Sequence, residues 1–195
     1  MKEKINTTVH NIIRNYVREE NIYKGKNIII VETVKEYIKK VIELDQKTIE
    51  KGNKLKILAV EKEFENEIKD RGKIFKIRGK IDRIDELNGE VRIIDYKSGK
   101  KISKRNLTIK DSEELTGEKG IYNLQLLVYM LGIKEEFNEK TIKSGIINLK
   151  NISEGVLEGV FNGKTELSNT EMENYKNEII MIITNILDKN KLFKN

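Results

Sequence analysis

The chain has 195 residues, of which 37% are hydrophobic and 36% charged, and its formal net charge is +6. It contains no cysteine, which excludes disulfides, zinc–thiolate sites and iron–sulfur clusters. No apolar run reaches membrane-spanning length and no signal peptide opens the chain, so we expect a cytoplasmic protein with no membrane partner. The basic balance suits nucleic acid, although abundant Lys, Asn, Ile and Glu without Pro also fits a genome-wide compositional bias.

The first half of the chain predicts two helices followed by strands. Helical spacing of apolar residues predicts a helix over 6–20, capped at Asn6 or Thr7, and a second helix over 31–51. Alternating apolar residues then predict three strands, the last two joined by a turn at 86–89 into a hairpin: 55–68, 73–85 and 90–98.

The second half begins with a polar stretch over 99–118, which is long for a loop and is therefore expected to be functional or mobile. An apolar helix, two strands and an amphipathic helix that starts at Ser168 or Asn169 follow, over 119–133, 141–150, 156–163 and 168–190. The order α, α, β, β, β, α, β, β, α predicts an α/β fold with a mixed sheet and helices packed on it. No repeat or linker interrupts the chain, so we expect one domain over 1–195.

Charged residues stand inside the strands of the predicted hairpin. Alternation predicts two sets on shared strand faces: Ile93, Asp95 and Lys97 on one strand, and Lys80, Asp82 and Ile84 on its partner. If the register brings Asp82 near Asp95, two carboxylates and an ammonium converge. This is a ligand set for Mg²⁺ or Mn²⁺, which can generate a nucleophilic water, and a nearby Lys can stabilise charge on a phosphoryl group.

A simpler interpretation is a solvated strand face with a surface ion pair. The apolar neighbours of the two Asp residues argue against a solvated face: Ile81, Ile84, Ile93 and Ile94. Gly79 also leaves room for the close approach of a backbone or a ligand.

Three segments in this order carry a family resemblance: G-K-I-D-R-I-D at 79–85, I-I-D-Y-K-S-G at 93–99 and Q-L-L-V-Y at 125–129. Together with the upstream His10, they resemble the PD-(D/E)XK nuclease superfamily. The resemblance is greatest to the C-terminal domains of RecB and AddB helicase–nucleases and to CRISPR-associated nucleases with an iron–sulfur cluster. It implies a restriction-endonuclease-like core with N-terminal helices over 1–52, a catalytic sheet and Q-x-x-x-Y helix over 53–135, and C-terminal strands and a helix over 136–195.

The resemblance also implies roles for individual residues. Asp82 and Asp95 correspond to the metal-binding carboxylates, and the backbone carbonyl of Tyr96 to a further metal ligand. Lys97 corresponds to the catalytic lysine. Gln125 and Tyr129 correspond to residues that contact the nucleic acid, although two polar residues on the exposed edge of a helix would have the same spacing.

His10, the only histidine, corresponds to a metal ligand on an N-terminal helix. The local sequence is N-T-T-V-H where the family usually has G-T-x-x-H, and Arg14 stands where a Glu is frequent. A lone His near an apolar helix face is also commonly a core residue. Glu61 resembles a structural Glu on the preceding strand, and we expect Arg83 to form ion pairs or to contact phosphate.

The resulting hypothesis is a Mg²⁺- or Mn²⁺-dependent deoxyribonuclease without an iron–sulfur cluster. The resemblance implies an exonuclease domain of an AddB/RecB-like helicase–nuclease in double-strand-break repair and recombination, excised or standing alone. Its implied partners are single-stranded DNA ends and a helicase region or subunit. Two alternatives are a silent DNA- or partner-binding module with the same fold and an unrelated phosphate enzyme, although Y-K-S-G-K-K lacks the spacing of a nucleotide-binding loop.

Overall fold

A computed structural model describes residues 2–117, 120–137 and 140–188 of the chain. Its contacts divide the chain into two compact units, Met1–Asn53 and Lys54–Asn195. The single domain expected from the sequence stays a prediction. None of the helices within the described ranges is both long enough and apolar enough to cross a membrane.

The first unit consists of helices α1 (Lys2–Ile13) and α2 (Lys26–Glu50) with a short 3-10 turn between them. A small apolar core holds it together: Ile5, Val9, Ile22 and Val31. The predicted cap at Asn6 or Thr7 is wrong, because the Thr7 hydroxyl donates to the Glu3 carbonyl inside the first helix. Helix α2 begins five residues before the prediction, directly after Gly25, whose positive φ of 55° suits glycine.

The second unit contains a five-stranded sheet in the order β1-β2-β3-β5-β6. Neighbouring strands are antiparallel except β3 and β5, which are parallel because helix α3 connects them. The elements of this layer are β1 (Leu55–Asp70), β2 (Lys73–Leu87), β3 (Glu90–Lys97), α3 (Gly120–Ile133), β5 (Ile142–Asn148) and β6 (Val156–Glu158). The mixed sheet with its helices confirms the predicted α/β, restriction-endonuclease-like fold.

Two short strands and a last helix complete this unit. Strand β4 (Thr108–Ile109) pairs in parallel with β7 (Val160–Phe161) outside the main sheet. The single strand predicted over 156–163 is therefore wrong, since it is divided between two sheets. Helix α4 (Asn169–Leu187) starts at the predicted cap Ser168, and the last residues of its predicted range, 189–190, lie outside the described residues.

The hairpin predicted from the sequence is formed by β2 and β3. Its turn is shorter than the predicted range 86–89, because strand β2 continues through Leu87. Asn88 and Gly89 make the connection with φ angles of 54° and 95°. Two successive positive φ angles are those of a type I′ hairpin turn, which fixes the strand register.

Residues 98–117, which follow β3, are held by buried side chains. They contain two 3-10 turns, Lys104–Leu107 and Ser112–Thr116, on either side of β4. Their apolar residues join the main core: Ile102, Leu107, Ile109 and Leu115. Residues 118 and 119, which include the predicted end of the loop and start of the next helix, lie outside the described residues.

Candidate active site

The hairpin register brings the two predicted metal carboxylates to opposite positions. Pairing between β2 and β3 ends with Arg83 opposite Ile94, and Asp82 and Asp95 are the next residues on the two strands. The Tyr96 N–H then donates to Asp82 Oδ2 at 2.8 Å. The Asp82 side chain therefore takes the place of a ladder partner and holds its carboxylate beside β3.

Strand β2 does not alternate regularly around Asp82. Ile81 and Ile84 both belong to the main core, whereas Lys80 is exposed and pairs with Glu61. The predicted shared face is therefore wrong for Lys80, whereas Ile84 lies opposite Ile93 as the prediction requires: the strand changes face between Lys80 and Asp82. Glu61 lies between Val60 and Lys62, which pair with Arg83 and Ile81. It has a positive φ of 51°, a strained conformation of the kind that occurs at functional sites.

Asp95 is almost fully buried, with 3% of its surface exposed. Its Oδ1 accepts a hydrogen bond from Gln125 Nε2 at 3.1 Å, and Lys97 Nζ lies 2.8 Å from its Oδ2. Burial raises the pKa of Asp95 above its usual value; the Lys97 ammonium opposes this shift and the charge of Asp82 adds to it. The site thus has two carboxylates and one ammonium, a formal charge of −1.

Gln125 connects the lysine to the carboxylate. Its Oε1 accepts from Lys97 Nζ at 2.9 Å, while its Nε2 donates to Asp95 and, at 2.7 Å, to the Tyr129 hydroxyl. Gln125 and Tyr129 are one turn apart on α3 and face the sheet, so the exposed-edge interpretation is wrong for Tyr129, which is 8% exposed. The structure shows that Gln125 contacts Lys97, Asp95 and Tyr129. Contact of Gln125 and Tyr129 with DNA stays a prediction.

Burial also raises the pKa of Tyr129 above its ordinary value. The hydrogen bond with Gln125 opposes this effect, and the negative charges of Asp95 and Asp82 add to it. The phenol therefore keeps its proton in the neutral range and can donate it in a hydrogen bond to a neighbouring carboxylate.

An aromatic side chain that the sequence analysis did not identify supports Tyr129. The Phe64 ring on β1 meets the Tyr129 ring edge-on, with centroids 6.1 Å apart. A Cβ added at Gly79 or at Gly132 would come within 2.7 Å and 2.4 Å of the Phe64 ring. The space at Gly79 is thus filled by the Phe64 ring. The sequence signals for this packing were Gly79 inside a strand and Gly132 inside a helix.

The residues present fit a hard divalent cation. Asp95 Oδ2 is buried and receives no hydrogen bond from the described residues, since Lys97 approaches it outside hydrogen-bonding geometry. The Lys97 carbonyl accepts from Leu149 N on the β5 side, so alternation directs the Tyr96 carbonyl towards the β2 side, where Asp82 lies. No cluster of three or more His, Cys, Asp or Glu residues suited to a metal occurs in the described ranges, and Mg²⁺ typically takes only one or two carboxylates and keeps several waters.

His10 lies in the first unit, near the end of α1. Its Nε2 is 3.4 Å from Glu19 Oε1, and its ring stacks on Tyr23 with centroids 5.9 Å apart. The ring is half-buried, which differs from the fully buried core histidine of the alternative interpretation. Its role as a metal ligand stays a prediction.

A buried ionic cluster lies next to the carboxylates on the same hairpin. Arg83 Nε donates to Asp85 Oδ2 at 2.8 Å, and Arg92 Nε donates to Asp85 Oδ1 at 2.7 Å. Arg83 also donates to the Tyr96 hydroxyl at 3.2 Å. This confirms the ion pairs expected for Arg83. Arg92 was missed, although the hairpin register places it directly opposite Asp85.

Comparison with known proteins gives a family match and a match to a solved structure. The family model described as the PD-(D/E)XK nuclease superfamily matches residues 2–192. A solved structure titled "Crystal structure of SSO0001" is 17% identical in sequence and matches with a TM-score of 0.31. The match covers 99% of this chain and 98% of that one. No curated protein matches the chain.

Proposed function

Because the chain belongs to the PD-(D/E)XK nuclease superfamily, we propose that it hydrolyses phosphodiester bonds in DNA at Asp82, Asp95 and Lys97. One observation carries the proposal: Asp82 and Asp95 meet across the hairpin while Lys97 contacts Asp95. Family membership indicates a nuclease that uses a divalent metal and binds nucleic acid. The choice of DNA, of Mg²⁺ or Mn²⁺ and of these residues is the proposal.

Asp82, Asp95 and the Tyr96 carbonyl would hold the cation. When bound, such a cation activates water and polarises a phosphoryl oxygen. Lys97 contributes a fixed positive charge that stabilises negative charge developing on the phosphate. Gln125 keeps the Lys97 ammonium and the Asp95 carboxylate in place through one hydrogen bond to each.

We further propose an exonuclease of the AddB/RecB-like kind that acts during double-strand-break repair and recombination. The support is the ordered set of motifs at 79–85, 93–99 and 125–129. In this proposal a helicase region or subunit delivers single-stranded DNA ends to the site.

A cleavage assay tests the function. The purified protein is incubated with end-labelled single-stranded and duplex DNA in Mg²⁺, in Mn²⁺ or in EDTA, beside Asp95→Asn and the control Asp70→Asn. Asp70 makes the control suitable because it lies at the end of β1, away from the carboxylates. We expect metal-dependent cleavage in the parent and the control and a loss of at least about 100-fold in Asp95→Asn.

The outcomes separate the alternatives. Stepwise loss of nucleotides from a labelled end supports an exonuclease, and internal fragments contradict that part of the proposal. Cleavage that persists in Asp95→Asn overturns the assigned site. DNA binding without cleavage in either metal would favour the silent binding module, against which the complete Asp82, Asp95 and Lys97 set argues.

A further inference from the structure

A run of cations immediately follows the candidate active site. Residues 100–105, here named the basic segment, carry four exposed cations in six positions: Lys100, Lys101, Lys104 and Arg105. None of the four forms a salt bridge with a described residue. Many other cations of the second unit do pair with carboxylates, among them Lys62, Lys76, Lys80, Lys143 and Lys164. The basic segment therefore carries positive charge that the described residues do not neutralise.

The basic segment is held in one conformation. Ile102 and Leu107 are 1% and 0% exposed, so apolar anchors are buried within and directly after the run of cations. Ser103 and Asn106 form a capping box at the start of the 3-10 turn Lys104–Leu107. Asn123 on α3 donates to the Leu107 carbonyl at 3.0 Å. Because the backbone is fixed, less conformational entropy is lost when the cations bind a ligand.

The basic segment starts beside the catalytic lysine. Lys100 follows Lys97 by three residues, so their Cα atoms are at most about 11 Å apart. The Lys100 carbonyl accepts a hydrogen bond from Asn148 at 3.2 Å, and Asn148 is the register partner of Lys97 on β5. Each strand of a duplex carries one phosphate per about 3.4 Å of helix axis, so along the axis this distance spans at most about three nucleotides.

The composition of the segment defines what it can recognise. It contains no aromatic residue that could stack on a base, so its contacts would be with phosphate and would not depend on base sequence. Further along, acidic side chains repel phosphate and limit the surface: Asp111, Glu113 and Glu114.

We propose that the basic segment binds the phosphodiester backbone of the nucleic-acid strand at positions adjacent to the scissile bond. This inference rests on the proposed nuclease function and adds to it a binding surface outside the Asp82, Asp95 and Lys97 site. Each cation that neutralises a phosphate releases counterions, so the surface determines how steeply binding depends on salt.

The test measures binding of fluorescent single-stranded and duplex oligonucleotides by anisotropy in EDTA, across a NaCl series. The variant is Lys100→Gln/Lys101→Gln/Lys104→Gln/Arg105→Gln. The control Lys39→Gln/Lys40→Gln/Lys140→Gln/Lys164→Gln removes the same charge from exposed lysines that form ion pairs elsewhere. We expect the slope of log K against log salt to become shallower by about 2.8 for single strands or about 3.6 for duplex in the variant only.

Thermal unfolding followed by circular dichroism checks that both proteins fold, which is expected because all four altered side chains are exposed. An unchanged slope, an equal change in the control, or no salt-dependent binding by the parent would overturn the inference. Cleavage in Mg²⁺ is measured on the same proteins. If the parent cleaves DNA but the salt dependence of the variant is unchanged, the role of the basic segment is refuted and the nuclease function is not. If the variant has a shallower slope but the parent does not cleave, the nuclease function is refuted and the role of the basic segment is not.

Discussion

At the scale of single residues, Asp85 differs from the two carboxylates of the candidate site in how its charge is balanced. It has no exposed surface, and the guanidinium groups of Arg83 and Arg92 both contact it. In the candidate site, by contrast, the Lys97 ammonium contacts only one of the two carboxylates, that of Asp95. Both oxygens of the Asp85 carboxylate already accept hydrogen bonds from guanidinium groups, so Asp85 has no oxygen left to bind a metal ion. Asp82 and Asp85, although they belong to the same motif, therefore differ in whether they could bind a cation.

We predict that Asp85→Ala lowers the free energy of unfolding by about 3–5 kcal/mol, because it leaves two guanidinium groups in the protein interior without their carboxylate. Asp70→Ala, at the end of β1, should change the free energy of unfolding by less than about 0.5 kcal/mol. Urea unfolding measured by circular dichroism compares the three proteins. If Asp85→Ala is as stable as Asp70→Ala, the cluster contributes no net stability and this interpretation is wrong.

At the scale of elements, helix α4 shows how local sequence sets a helix start. Ser168 and Glu171 form a reciprocal capping box, and Lys164 pairs with the Glu171 carboxylate. These interactions, the Lys164 hydrogen bond first and those with Ser168 next, lower the pKa of Glu171 to about 2. A capping box satisfies N–H groups that the first helical turn leaves without partners.

A lowered pKa makes the contribution of Glu171 depend on pH with a defined sign. The folded chain binds the Glu171 proton more weakly than the unfolded chain, so the stabilisation is present above the ordinary value of 4.5 and is lost as the pH falls towards about 2. We predict that Glu171→Gln is less stable than the parent at pH 7 and that the difference shrinks below pH 4.5.

Urea unfolding at several pH values, with Glu178→Gln on the same helix as the control, measures this difference. Glu178 lies outside the capping box, so its variant keeps the cap and the Lys164 ion pair intact. A Glu171→Gln deficit that stays constant down to pH 2 would contradict the assigned ion pair and cap.

Elements whose signals are local were predictable from the sequence, and elements that depend on docking were not. The starts of β1, β2 and β3 agree with the predicted 55, 73 and 90, because alternation and the Asn88-Gly89 turn act within a few residues. The same turn fixes the register that places Asp82 beside Asp95. In contrast, Ile102 and Leu107 anchor the basic segment without any regular period, and only their burial reveals that it is ordered.

The same distinction applies within the candidate site. The Asp95 and Lys97 contact follows from their spacing along β3. The bridge made by Gln125 and the packing of Phe64 between two glycines depend on how α3 lies on the sheet. The change of face at Asp82 occurs where the β1–β2 pairing passes over Glu61. A pattern of residues along one strand contains none of these three arrangements.

At the scale of the whole molecule, the candidate site places negative charge where it opposes folding. The raised pKa of Asp95, caused first by burial, means that the folded chain holds this proton more tightly than the unfolded chain. The ionised carboxylate at neutral pH therefore disfavours the folded state. A bound divalent cation would compensate this charge. The buried negative charge would therefore both destabilise the protein without metal and attract the metal ion.

We predict that Mg²⁺ stabilises the parent protein and not Asp95→Asn. A ligand that binds only the folded chain adds about 1.4 kcal/mol when its concentration is ten times the dissociation constant. Without metal, Asp95→Asn should be at least as stable as the parent at pH 7, because it removes the buried charge whose pKa is raised. Thermal unfolding over a Mg²⁺ series, with Asp70→Asn as the control that keeps the response, measures both effects. An equal shift in Asp95→Asn would mean that Mg²⁺ binds elsewhere in the chain, and the assignment of Asp95 as a ligand would then be wrong.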